Sequence, residues 1–274
     1  MVAKRISLGT LLVAIGCGGP GVQAGSGPPT PPNDPTLGEN PRARAPLSVV
    51  DAPVSFTAVE GDVLDDPEIE ALVAPFRDRM GEEIQEQIGE ATGILAKASP
   101  EGTLGNFATD AMLWAANREV RDSVHMALTN SGGLRVPIGP GPITVGLMYE
   151  LMPFENMLSV LIFSGDQVKT LCDELAQRRG APIAGFSFRI ETLDGQRTAE
   201  DIRIGGDSLD PEGHYRLVTN DYMANGGDSY DALSNPVDRL DLPVLVRDAF
   251  IDFVRFKGVI EPKLEGRITG GIGP

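Results

Sequence analysis

Histidine is nearly missing from this chain, which holds only His125 and His214 in 274 residues. A two-metal hydrolytic centre needs several histidines and carboxylates to hold paired ions that activate water and stabilise the leaving oxygen. Neither histidine stands in Asp-x-His or Asn-His-Asp/Glu spacing, and Gly105-Asn106 is followed by Phe107 rather than histidine. Solvated or edge positions are expected for both. No Gly-x-Ser-x-Gly elbow supports a nucleophilic serine either. No catalytic residue, metal-ligand set or cofactor is therefore assigned. Positive charge is also short: 23 Lys and Arg face 39 Asp and Glu, a formal net charge of -16. Docking on a phosphate backbone depends on Lys and Arg displacing counterions, so nucleic acid is not an expected partner. No segment approaches the roughly 20 apolar residues that span a bilayer, which excludes an integral membrane protein.

What the chain does have, at 41% hydrophobic residues, suffices to bury one substantial core. One domain with a tail is the expected organisation. Lys4 and Arg5 precede a short apolar run from Ile6 to Ile15 and then Gly16-Cys17, the layout of a bacterial secretory signal. Residues 1–17 read as a signal peptide whose end, Ala14-Ile15-Gly16-Cys17, resembles a lipobox with Ala14 where leucine is usual. Cys17 is then the lipidation site, and the protein is exported and held to a membrane by acyl chains, in the periplasm or at the cell surface. Cleavage after Val22-Gln23-Ala24, releasing a soluble protein, and an unprocessed apolar tail are the alternatives. With Cys17 lipidated, Cys172 stands alone and no intrachain disulfide forms; its place on a helical core stripe suggests inert packing. Residues 18–50, dense in Gly and Pro and poor in large apolar side chains, read as a disordered tether.

The folded part is expected over 54–268. Asp66 as N-cap, Pro67 at the first helical position and Glu68 behind it announce a helix. Its apolar positions Ile69, Leu72, Val73, Phe76, Met80, Ile84 and Ile88 keep helical spacing to about Gly89, with a kink expected near Pro75. A second helix runs from Leu104 to about Arg118 and leads into a strand near Val124 to Leu128. A short helix capped by Thr144 ends at Pro153, and Met157 to Phe163 alternates as a half-buried strand. Ser164-Gly165-Asp166-Gln167 is a capping box that opens a helix stopped by Gly180. Strands near 185–193, 202–204 and 215–219 follow, and a final amphipathic helix covers 242–256. This mixture of segregated elements points to an α+β fold, a mixed sheet with packed helices.

Three stretches stand apart from these periodicities. In Thr129-Asn130-Ser131-Gly132-Gly133-Leu134-Arg135 the paired glycines let backbone N–H groups approach a ligand that a Cβ would exclude, and Arg135 adds a fork suited to anionic oxygens. A plain glycine turn with a rim arginine is the alternative. In Leu151-Met152-Pro153-Phe154-Glu155-Asn156 and Thr219-Asn220-Asp221-Tyr222-Met223-Ala224-Asn225-Gly226-Gly227-Asp228-Ser229-Tyr230, Phe154 and Tyr222 fit no core stripe. Internal packing is the usual fate of such rings, and Asp228 could equally serve its turn.

Together and in this order, the three stretches resemble the C-terminal, substrate-recognition domain of the 5'-nucleotidase family, in which it is paired with an N-terminal two-metal phosphoesterase domain. The resemblance includes Leu104-Gly105-Asn106 and Leu209-Asp210-Pro211. It implies that Phe154 and Tyr222 sandwich a nucleobase, that Asp228 accepts ribose hydroxyls, that Asn130 and Asn156 orient polar edges, that Gly133 and Gly227 let the ligand approach, and that Arg135 meets an anionic end. Three departures stand out: Glu155 where glycine is usual, Tyr222 where phenylalanine is usual, and no arginine between Arg79 and Arg118. The implied function is recognition of a nucleotide- or nucleoside-like small molecule without chemistry of its own. Alternatively the chain is the specificity subunit of a nucleotide-hydrolysing complex, with a separate metallophosphoesterase docked on the first helix, or a non-catalytic scaffold lipoprotein. The docked case calls for an exposed apolar stripe on that helix.

Overall fold

The computed structural model describes residues 66–271. The expected signal peptide and tether, and the first residues expected in the domain, lie outside the described residues. In chain order come α1 (Pro67–Gln85), β1 (Gln87–Ala91), α2 (Thr103–Glu119), β2 (Met126–Leu128), β3 (Gly141–Thr144) and α3 (Val145–Leu151). Then follow β4 (Met157–Ser164), α4 (Gly165–Gln177), β5 (Ile183–Ala184), β6 (Phe186–Leu193), β7 (Gln196–Ile204) and β8 (Asp207–Ser208). The chain closes with β9 (His214–Asn220), α5 (Asp221–Ala224), β10 (Asp238–Leu245), α6 (Val246–Lys257), β11 (Val259–Ile260) and β12 (Ile268–Gly270). The fold is α+β.

A five-stranded mixed sheet, ordered β10-β4-β9-β2-β5, forms the centre. Its residues feed two cores. Leu158 and Val160 of β4, Ala127 of β2 and Val218 of β9 face a core shared with α2, α3 and α6, built around Phe107, Met148 and Phe250. Leu161 and Phe163, Met126 and Leu128, and Leu217 face the other core, shared with α4 and the four-stranded sheet β12-β6-β7-β8. Side chains alternate across a strand, so a sheet sandwiched between two layers is apolar at successive positions. That corrects the half-buried reading of β4: both of its faces are buried, from Leu158 through Leu161.

Local chemistry fixes the helix starts. The Asp66 carboxylate accepts from the amides of Glu68 and Ile69, and the Ser164 and Gln167 side chains form the reciprocal capping box of α4. Two boundaries depart from the sequence expectation. The first helix stops at Gln85, and residues 87–91 form β1, parallel to β11 and antiparallel to β3. Gly89 permits this, since a Cβ there would lie 2.8 Å from the Gly258 carbonyl. The final helix starts at Val246 rather than 242, because Leu240, Leu242 and Val244 alternate in β10, which pairs antiparallel with β4. Pro75 lies inside a continuous α1. His125 is half-buried beside β2 and His214 is exposed at the start of β9.

Candidate functional site

Topology brings the three sequence stretches to one place. β2 and β9 are parallel neighbours, in register at Met126↔Leu217 and Ala127↔Val218, so both carboxyl ends open at the same edge of the sheet. β4 runs antiparallel to β9 with Leu158 opposite Asn220, so the loop that enters β4 reaches that edge as well. The first stretch leaves β2, the second precedes β4 and the third leaves β9.

Asn220 is the hub of the convergence. It is fully buried, caps α5 by accepting from the Met223 amide (2.8 Å), and donates to Thr129 Oγ1 (3.1 Å) and Asn130 Oδ1 (3.2 Å). Asn130 Nδ2 passes the chain on to Asp228 Oδ2 at 2.7 Å, and the Tyr222 hydroxyl donates to Asp228 Oδ1 at 3.0 Å. The carboxylate is thus held from two sides while keeping unused lone pairs, because a carboxylate accepts about four hydrogen bonds.

The result is a cleft of about 400 Å³ lined by Asn130, Gly132, Gly133, Arg135, Phe154, Asn156, Tyr222 and Asp228. That volume lies within the few-hundred to 1,000 Å³ range of small-molecule sites. Phe154 is 42% and Tyr222 46% exposed, so both rings present apolar area to solvent instead of filling a core. Gly227 is the one residue of the expected set outside the lining. It lies against the Tyr222 ring, where a Cβ would come within 2.4 Å of the aromatic carbons. Gly133 presses on Asn130 Oδ1 and Met152, with 3.2 Å to a Cβ placed there. Glu155 is exposed and is not among the residues that line the cleft.

Arg135 is exposed; its amide donates to the Leu151 carbonyl (2.8 Å) and its guanidinium to the Gly132 carbonyl (3.2 Å), 6.0 Å from the Phe154 ring centre. Linear spacing gives no hint of Arg247, on the first turn of α6. Only 6% exposed, it donates to the Met152 carbonyl at 3.3 Å, reaches towards that of Phe154 at 3.5 Å, and stacks 4.1 Å from the Tyr149 ring. It fastens the loop that carries Phe154. A larger groove of about 600 Å³ lies elsewhere, and two of its three arginines are already engaged, Arg216 with Asp122 and Arg239 with Asp241. Among the described residues no group of three or more His, Cys, Asp or Glu side chains is arranged to hold a metal ion.

Comparison with known proteins identifies the family. The model of the family described as 5'-nucleotidase, C-terminal domain, matches residues 87–235, more than half of the chain. The chain belongs to this family. Trifunctional nucleotide phosphoesterase protein YfkN of Bacillus subtilis is 28% identical over 234 residues, covering 78% of this chain and 16% of that protein. Protein UshA of Escherichia coli is 26% identical over 203 residues, covering 73% of this chain and 35% of that protein. The solved 5'-nucleotidase precursor from Thermus thermophilus superposes with a TM-score of 0.65 at 31% identity, covering 75% of this chain and 43% of that one. The chain therefore spans less than half the length of the 5'-nucleotidase-family relatives named here, matching only part of each. The family resemblance read from the three stretches and the family shown by comparison are the same.

Proposed function

We propose that the cleft recognises a nucleoside or nucleotide-like small molecule. Phe154 and Tyr222 clamp the base, Asp228 accepts the ribose hydroxyls, Asn130 and Asn156 orient polar edges, and Arg135 meets the anionic end. One observation carries this reading: two solvent-facing aromatic rings share a cleft with a carboxylate positioned by two side-chain donors. Calorimetric titration of the full chain with adenosine, AMP and a UDP-sugar tests it, alongside a phosphate-release assay with added divalent metal. Binding to at least one ligand is expected; no heat from any of the three would remove the reading.

A second reading, in which a separate metallophosphoesterase supplies the chemistry, is supported by α1. Ile69, Leu72 and Val73 at its start are 58%, 65% and 41% exposed, an uncovered apolar stripe of the kind that marks docking surfaces. Co-purification of the two proteins, lost on Leu72→Glu, is its test. The scaffold reading is weakened by the two rings lining one cleft. Export and lipid attachment through Cys17 complete the proposal. They are supported by the order of basic, apolar and Gly-Cys residues at the N-terminus, and mass spectrometry of the membrane fraction for a diacylated Cys17 peptide tests them.

A further inference from the structure

We propose that Arg178, a residue outside the cleft lining, is the positioning residue for Asp228, an inference that rests on the nucleoside reading of the cleft. Asp228 and Ser229 take φ values of 55° and 54° in succession, although neither is glycine. The left-handed region is costly for a residue with a Cβ, and such geometry persists where surrounding contacts over-determine it, as at ligand clamps. The turn itself supplies one long hydrogen bond, from the Ser229 amide to the Gly226 carbonyl at 3.3 Å. Asn130 and Tyr222 hold the carboxylate end of Asp228. Something else must hold the backbone.

Arg178, the residue that follows α4, does so. Its Nη1 donates to the Asp228 carbonyl at 3.1 Å and its Nη2 to the Ser229 carbonyl. The fork thus grips both left-handed residues at once. Its own orientation is fixed twice over. Glu174, one turn earlier on α4, accepts from Nε at 2.9 Å, and its second oxygen accepts from the Ala232 amide at 2.9 Å. The guanidinium plane also lies 4.0 Å from the centre of the Tyr230 ring, which is buried. The last turn of α4 therefore fastens the backbone from Asp228 to Ala232 at several points. Only a planar guanidinium serves both carbonyls and the carboxylate together, so lysine is not an equivalent replacement. The carboxylate of Asp228 is delivered to the cleft because its peptide is pinned from behind.

The test compares Arg178→Ala and Arg178→Lys with the unaltered full chain. Amide hydrogen exchange without ligand is read at residues 226–233, and binding is measured for adenosine and for 2',3'-dideoxyadenosine, which lacks the hydroxyls that Asp228 accepts. Faster exchange confined to 226–233 is expected in Arg178→Ala, with the central sheet as protected as before. Adenosine binding falls about tenfold or more, the loss that follows from a misplaced charged hydrogen-bond partner. Binding of dideoxyadenosine stays unchanged, and Arg178→Lys does not restore adenosine binding. Unchanged exchange with unchanged adenosine affinity overturns the proposal, and so does an equal loss for both nucleosides, which marks a merely structural residue. Should Arg178→Ala fail to fold, Arg178→Lys carries the same comparison. Should the unaltered protein bind neither nucleoside, the reading of the cleft falls, and exchange at 226–233 alone decides whether Arg178 holds the turn.

Discussion

Tyr222 illustrates how much one atom decides at the residue scale. Its ring stands at a position where the family resemblance implies phenylalanine, and its hydroxyl donates to Asp228 at 3.0 Å. Tyr222→Phe keeps the stacking face but removes a hydrogen bond to an exposed carboxylate, worth about 1.5 kcal/mol, so adenosine affinity should fall by no more than about tenfold. Cys172 makes an opposite case. It is fully buried, and burial, with Asp173 adding to it, pushes its thiol up to about 12. Thiolate, not thiol, is the reactive form, so Cys172 in the native protein should resist iodoacetamide at pH 8 and become labelled only in denaturant. Peptide mapping checks it; labelling under native conditions would contradict the inert-packing assignment. Phe154 and Tyr222 stood out in the sequence because they fit no core stripe, and Asp228 through the family resemblance, whereas Arg178 and Arg247 did not stand out. Each of those arginines reaches the site from an element distant in sequence, and nothing in linear spacing records such a contact.

Among the elements, the first helix and the β2–β9 pair yield predictions of opposite kind. Leu72 on α1 is 65% exposed, so Leu72→Glu should alter stability by less than about 0.5 kcal/mol in urea unfolding. A larger loss would show that the stripe is covered in solution. At the β2–β9 pair, His125 Nδ1 accepts from the Arg216 amide at 3.0 Å, a contact available only to the neutral ring. Burial, and secondarily the Arg216 charge, hold its pKa below the ordinary 6.5. The unfolded chain therefore takes up this proton first as pH drops. The contribution is present in full above about pH 6.5 and is lost as pH falls through the lower folded value. Thermal unfolding should show Tm declining between pH 7 and 5, less steeply in His125→Asn, whose side-chain oxygen can accept without titrating. Equal slopes would remove His125 from the account. Helices with caps, such as α1 and α4, were legible at their starts because one side chain satisfies specific amides. β1 and β10 were not, since their apolar residues continue a neighbouring helical pattern and only pairing with β11, β3 and β4 makes them strands.

At the scale of the whole molecule, the site exists because strand order places three remote stretches at one sheet edge. The α+β class and the grouping of the stretches were readable from sequence. The parallel pairing of β2 with β9 that explains their convergence was not, because register is set by partners rather than by the strand itself. The central claim is that Phe154 and Tyr222 form a base clamp. Adenosine titrated calorimetrically into the full chain and into Phe154→Ala tests it most directly. Base stacking is worth about 1–3 kcal/mol per aromatic, so the account predicts measurable binding by the unaltered protein and roughly 5- to 150-fold weaker binding by the variant. Adenosine bound equally well by both proteins would contradict it.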